Sequence, residues 1–381
     1  MRRSGRTALA EDVARETVIA FRANKGTADY DVTLHLYGLA LTLAFVGKLE
    51  EAQQTIAEIM TYQERVKGNA RLAYIPYSTL ALQAQIEEVQ GNLARSEATA
   101  REALRLARTI HGDAHPFVSV PMGSLASVLL TVGKAAEAEN LFGELLSDSL
   151  AAKPSSTYML IERAKFYGRR GNWEKAVSDA SRAVAHQPNY LEAQVTQAFA
   201  LLGASREGEL RAATDTMLDQ YRGAQTPFVA SRTALLCLLL PQPPEKRLLL
   251  SQLAEAGTSG EMGSYWTGRA QLARALFFYR NGDFEDCLAW ASKIAANPRS
   301  DLQVAAGAVS ALAQFALKDP RAAATLDAAK AKFSHLASLQ SGDFGGSWKE
   351  DYESDIGLGW FGWVIARRLL DEATTGARAG K

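Results

Sequence analysis

His111 and His115 stand four residues apart, the spacing that on one helix face would offer two imidazoles to a metal ion. The residues between them oppose a helix. His111-Gly112-Asp113-Ala114-His115-Pro116 contains a glycine and ends in a proline, and no Glu or Cys cluster lies nearby to complete a ligand set. Gly257, Gly260 and Gly263 have the look of a phosphate-cradling loop, yet no strand precedes them and no Gly-Lys-Ser/Thr follows, so they read as a loop between helices. His35, His186 and His335 are scattered, and no Gly-x-Ser-x-Gly occurs. Cys237 and Cys287 fall within apolar helical patterns, away from the basic, exposed setting that activates a thiol. The carboxylates ride solvated helix faces. The sequence therefore predicts no enzyme, no bound metal and no cofactor.

Charge and hydropathy narrow the partners. Lys plus Arg and Asp plus Glu number 42 each, so the chain lacks the basic excess with which nucleic-acid binders meet phosphates. The longest apolar run, Leu235 to Leu240, stops at Pro241, far short of the roughly 20 residues a membrane span needs. Nothing at the start reads as a secretory apolar core, and two buried, reduced cysteines suit a reducing compartment. A soluble, cytoplasmic protein is expected, with no nucleic acid and no membrane among its partners.

What remains is helical pattern. In Tyr158 to Tyr190, Leu160, Ala164 and Tyr167 share one face before Gly171-Asn172. After it, Trp173, Ala176, Ala180, Ala183 and Val184 recur at helical spacing until Pro188. Small residues at Ala164, Ala176 and Ala183 would let two antiparallel helices approach closely. This segment resembles the tetratricopeptide repeat, a 34-residue helix-turn-helix unit. One unit cannot bury its own apolar face, so at least about three must stack. The turn recurs at Gly47, Gly91, Gly133, Gly171 and Gly282, the first four spaced by 44, 42 and 38 residues. The expected fold is an all-α, right-handed α-solenoid of about seven or eight such repeats.

In chain order, residues 1–30 give a leading helix, either a cap or the second helix of a preceding repeat. Residues 31–340 hold the repeats. The second has Ser96 where the small post-turn alanine is expected, and its exit through His115-Pro116 resembles the loop of kinesin-light-chain-like repeats. The fifth blurs after Gly203-Ala204-Ser205, and the sixth is hinged at Pro241-Gln242-Pro243-Pro244. Residues 341–381 form a loop and a final helix. Its Trp360 and Trp363 would cover the end of the array by packing on the Leu302–Leu336 pair, with Arg367 and Arg368 in its last turns.

The order of these features, from His115-Pro116 through Ala234–Pro241 to Trp360-x-x-Trp363, is similar to that of the C-terminal repeat tails of large bacterial Ser/Thr protein kinases. That resemblance implies an interaction or regulatory region beside a catalytic domain absent from this sequence. Asp343-Phe344-Gly345 spells the kinase metal-binding triplet, but no His-Arg-Asp-type loop, strand lysine or strand-borne glycine loop accompanies it, so it is a chance match.

In such arrays the first helix of each repeat lines the concave surface. The expected partner-binding residues are Tyr158, Glu162, Lys165 and Arg169, with Gln85 and Ser127 before them and Glu192 and Thr196 after. Repeats that clamp a terminal carboxylate use Lys and Asn where this chain has Ile161 and Lys165, so a chaperone C-terminus is not the expected ligand. The favoured function is a scaffold for a protein or peptide partner. The alternative is a sensor that encloses a short peptide or small molecule and changes its superhelical pitch. That alternative needs convergent polar donors, whereas most of the asparagines sit in or beside turns.

Overall fold

The structure, a computed structural model, describes residues 7–23, 29–45, 48–63, 72–113, 115–146, 152–224, 226–259, 264–297, 299–338 and 359–379. Among them are eighteen α-helices and no strand. They fall into two compact units, one ending at Pro188 and the other beginning at Asn189. The first contains α1 (Thr7–Ala23), α2 (Asp29–Phe45), α3 (Leu49–Gln63), α4 (Ile75–Val89), α5 (Leu93–His111), α6 (Ser119–Thr131), α7 (Ala135–Leu145), α8 (Thr157–Arg169) and α9 (Trp173–His186). The second contains α10 (Leu191–Gly203), α11 (Glu207–Gln220), α12 (Pro227–Leu238), α13 (Arg247–Thr258), α14 (Ser264–Asn281), α15 (Phe284–Ala295), α16 (Ser300–Ala316), α17 (Ala322–Ser338) and α18 (Gly359–Ala379). From α2 to α17 they pair as eight antiparallel hairpins, each packed on the next within its unit, the arrangement of an α-solenoid.

One backbone device makes these hairpins. At the end of α4, Asn92 N–H reaches back to Glu87 O (2.8 Å) across Gly91, whose φ is 79°. The same six-to-one closure joins Lys134 to Leu129 (2.7 Å), Asn172 to Tyr167 (2.9 Å) and Asp283 to Phe278 (3.0 Å), each across a glycine with φ between 69° and 83°. Only a left-handed residue lets the chain reverse while still satisfying the last helical carbonyls. Gly47 lies outside the described residues. Two further turns close identically without glycine: Arg206 N–H to Leu201 O (3.0 Å) across Ser205 (φ 58°), and Asp319 N–H to Gln314 O (2.8 Å) across Lys318 (φ 55°). Ser205 is where the fifth repeat blurs in sequence.

Small residues then set the helix spacing. Ala164, Ala176, Ala180 and Ala183 have no exposed surface, so α8 and α9 pack through their alanine faces, with Tyr167 buried beside them and Trp173 half-buried. Ser96 replaces the usual alanine without penalty because its hydroxyl donates to Ala84 O on the facing helix (2.6 Å).

α18 packs on the pair formed by α16 and α17, where the sequence pattern places it, and reaches further helices of its unit as well. Trp363 does meet α17, its ring 5.6 Å from that of Phe333, but the side chain of Trp360 lies outside the described residues. The helix runs parallel to α16: Gly362 abuts Asp301 near the start of α16, and Gly376 faces Leu312 near its end. Phe361 stacks on Phe199 of α10 at 4.3 Å, and Glu372 accepts from Arg280 of α14 at 2.8 Å. α18 therefore packs on the last pair, chiefly along α16, and also reaches the first helices α10 and α14. Phe361 through Ala366 are buried on every side, as a central helix must be. The helix continues to Ala379, so Arg367 and Arg368 sit mid-helix, and Arg368 pairs with Glu207 (2.8 Å).

Candidate functional site

The first helices of three successive hairpins, α4, α6 and α8, carry a connected polar ladder. Glu88, near the C-terminal end of α4, is only 7% exposed. Its carboxylate accepts hydrogen bonds from Ser127 (3.3 Å) and Thr131 (2.5 Å) on α6. Arg169 of α8 donates from Nη1 to the same Ser127 hydroxyl (2.8 Å). A buried carboxylate needs such partners, because an unsolvated charge without them costs several kcal/mol. Ser127 thus bridges a carboxylate and a guanidinium and fixes both.

A second contact ties α6 to α8. Glu162 lies across Gly123: a Cβ there would stand 2.6 Å from its Oε2, so a larger residue would make the carboxylate shift. Lys165 Nζ lies 3.1 Å from Glu162 Oε1 on the same helix. Tyr158 is 43% exposed, Gln85 is half-buried on α4, and Phe117 and Val120 at the start of α6 are both about half exposed. Within this unit, Gln85, Ser127, Tyr158, Glu162, Lys165 and Arg169 all lie on first helices, and Ser127 with Arg169 and Glu162 with Lys165 make direct contacts.

Glu192 and Thr196 lie on α10 in the other unit. Thr196 is fully buried and donates to the Glu192 carbonyl (2.8 Å). The Glu192 carboxylate pairs with Arg232 of α12 (3.1 Å), whose guanidinium also sits over the rings of Phe228 and Trp266. Sequence reasoning missed Glu88, Gly123 and Arg232. Glu88 reads as one more solvated carboxylate three residues before a turn, and only the facing helix reveals otherwise.

The chemically suggestive residues resolve into packing. α5 ends at His111, and His115 instead opens the single 3-10 turn Pro116–Val118, its Nδ1 accepting from Phe117 N–H (3.2 Å). The two imidazoles stack at 4.6 Å, and Tyr77 shares a hydrogen bond with His111 Nε2 (2.9 Å). Burial, helped by the neighbouring His115, lowers the pKa of His111, which keeps it neutral. Among the described residues no three His, Cys, Asp or Glu side chains converge on a metal-sized site. Burial pushes the thiols of Cys237 and Cys287 up to about 12, so neither supplies a thiolate near neutral pH. No helix among the described residues is long and apolar enough to cross a membrane. Asp343-Phe344-Gly345 and Gly260 to Gly263 lie outside the described residues.

No curated protein matches the chain. A family model does: residues 77–147, which run from the first turn of α4 past the end of α7, match the tetratricopeptide repeat, and the described residues on either side continue as tandem helical hairpins in an all-α fold.

Proposed function

We propose that this chain is a non-catalytic scaffold that holds a segment of a partner protein along α4, α6 and α8. Tetratricopeptide repeats generally mediate protein–protein interaction, and the observation that supports this face is the Glu88–Ser127–Arg169 ladder. It pre-organises two charged groups across three hairpins, and pre-organised polar groups beside exposed apolar side chains make a surface that binds at low ordering cost. Lys165, Glu162 and Gln85 would supply polar contacts, and Tyr158 with Phe117 and Val120 the apolar ones. A place in cytoplasmic, kinase-linked signalling would follow from the likeness to bacterial kinase tails. The double variant Lys165→Glu/Arg169→Glu tests the reading by affinity capture from the source cell. Loss of a captured partner, with the melting curve retained, is the expected result. Retention of every captured partner would overturn it.

A further inference from the structure

A groove of about 900 Å³ separates α5 from α7, the second helices of neighbouring hairpins. Leu104, Leu125, Leu129 and Leu141 form its floor. One wall presents Arg101, Arg105 and Arg108 of α5, spaced four and three residues apart and hence on one helical face. The other presents Glu137, Asn140 and Glu144 of α7, spaced three and four apart. Each ladder covers seven residues, about 10 Å at the helical rise of about 1.5 Å. The walls match in length and are opposite in charge.

Cross-links close the groove at one end only. Arg101 bridges to Glu137 (2.5 Å) and Lys134 to Glu97 (2.8 Å). Further along, Arg105 turns to Glu102 on its own helix (2.7 Å), and Arg108 to Asp113 beyond it (2.5 Å). Glu144 forms no ion pair among the described residues. Arg105 and its Glu102 are 62% and 49% exposed at the side chain. Such solvent-exposed pairs contribute little, so an incoming charge can replace either partner at small cost.

We infer that this groove docks an amphipathic α-helix of a partner protein, at least two turns long, with carboxylates along the edge facing α5 and Lys or Arg along the edge facing α7. Its apolar stripe would rest on the leucine floor and on the methylene stems of the arginines. Both walls are helices whose backbone groups are already bonded, so an extended segment would find no N–H or C=O partners. A helix brings its own. The site is separate from the α4–α6–α8 face and does not depend on it.

The test uses the full chain and three fluorescein-labelled, 18-residue helical peptides of about the length of α5. All share one leucine stripe and differ only at the edges: one acidic edge and one basic, both acidic, or both basic. The mixed peptide is expected to bind saturably in fluorescence anisotropy, and the uniform ones at least about tenfold more weakly, because several like-charge contacts act together. Arg105→Glu/Arg108→Glu should weaken the mixed peptide and strengthen the all-basic one. Asn140→Lys, which adds a cation to the acidic wall and removes no ion pair, should weaken the mixed peptide even if the double variant is unstable. Lys165→Glu/Arg169→Glu should leave its affinity unchanged, which separates this site from the first-helix face. No saturable binding of the mixed peptide, or affinity untouched by Asn140→Lys and the arginine variant, would overturn the inference. So would sensitivity to the first-helix variant alone.

Discussion

Ser205 and Lys318 occupy the left-handed position of turns that elsewhere use glycine, with φ of 58° and 55°. Both should therefore gain stability on replacement by glycine. A side chain in this conformation crowds its own carbonyl and costs about 1–2 kcal/mol. Glycine removes that strain but leaves the unfolded chain freer, returning about 0.5–1 kcal/mol. Each substitution is left with a net gain of about 0.5–1 kcal/mol. The positions end different first helices, α10 and α16, and share no hydrogen-bond partner, so their effects should add. For a unit of about 150–250 residues, about 2–4 °C accompanies each kcal/mol, so Ser205→Gly/Lys318→Gly should melt about 2–8 °C higher in calorimetry.

The converse substitution supplies the control. A Cβ added at Gly133 would meet nothing within 4 Å, so Gly133→Ala creates no clash and leaves only the conformational penalty of φ 81°. It should lose about 1 kcal/mol. If the two glycine variants were neutral or destabilising while Gly133→Ala also cost nothing, left-handed strain would not be what distinguishes these turns, and the argument would fail.

Three further outcomes follow from particular contacts. Gly362→Ala should destabilise the second unit by about 3 kcal/mol or more in denaturant titration, because the new methyl would displace the buried carboxylate of Asp301, which Arg299 (3.0 Å) and Arg269 (3.7 Å) hold between them. Lys134 and Arg101 hold Glu97, and Lys175 with Arg170 holds Glu139, below the ordinary carboxylate value of 4.5. Lowered folded-state values mean that this contribution is present above pH 4.5 and lost as pH falls through the folded pKa. Melting points taken between about pH 6 and pH 3 should accordingly drop less steeply for Glu97→Gln/Glu139→Gln than for the parent. Cys237 and Cys287, both near 12, should ignore a thiol reagent at about pH 8 until denaturant is added; rapid labelling of the native chain would show that one of them is reached.

How much of this was legible depended on the range of each interaction. Gly91, Gly133, Gly171 and Gly282 announce their turns because the required φ is a property of one residue. Ala164 and Ala183 announce close packing because no other side chain leaves room. Ser205 hides a turn, since its conformation is imposed by the helices on either side, not by its own preference. Glu88 and Gly123 acquire meaning only from Ser127, Arg169 and Glu162 on facing helices, and no periodicity within one helix encodes a partner about 40 residues away. The apolar face of α18 announces its packing on the last pair but not its reach to α14: Arg280 and Glu372 meet across 92 residues of sequence.

The two units show one kind of surface in two conditions. In the second, α18 lies on first helices and is held by ring, ion-pair and apolar contacts from its own unit. Phe361 stacks on Phe199, Gly362 accommodates Asp301, and Glu372 engages an Arg280 that also donates to the carbonyls of Leu238 and Leu239 at the end of α12. Arg280 thereby closes four backbone and side-chain acceptors at once, and six buried apolar side chains of α18, each worth about 1.5–3 kcal/mol, hold the helix in place. In the first unit, Phe117, Val120 and Tyr158 stay exposed, while the ladder on α4, α6 and α8 buries Glu88 and leaves Arg169 partly exposed. The residues argued to bind a partner are those of the face on which no segment of the described chain is laid.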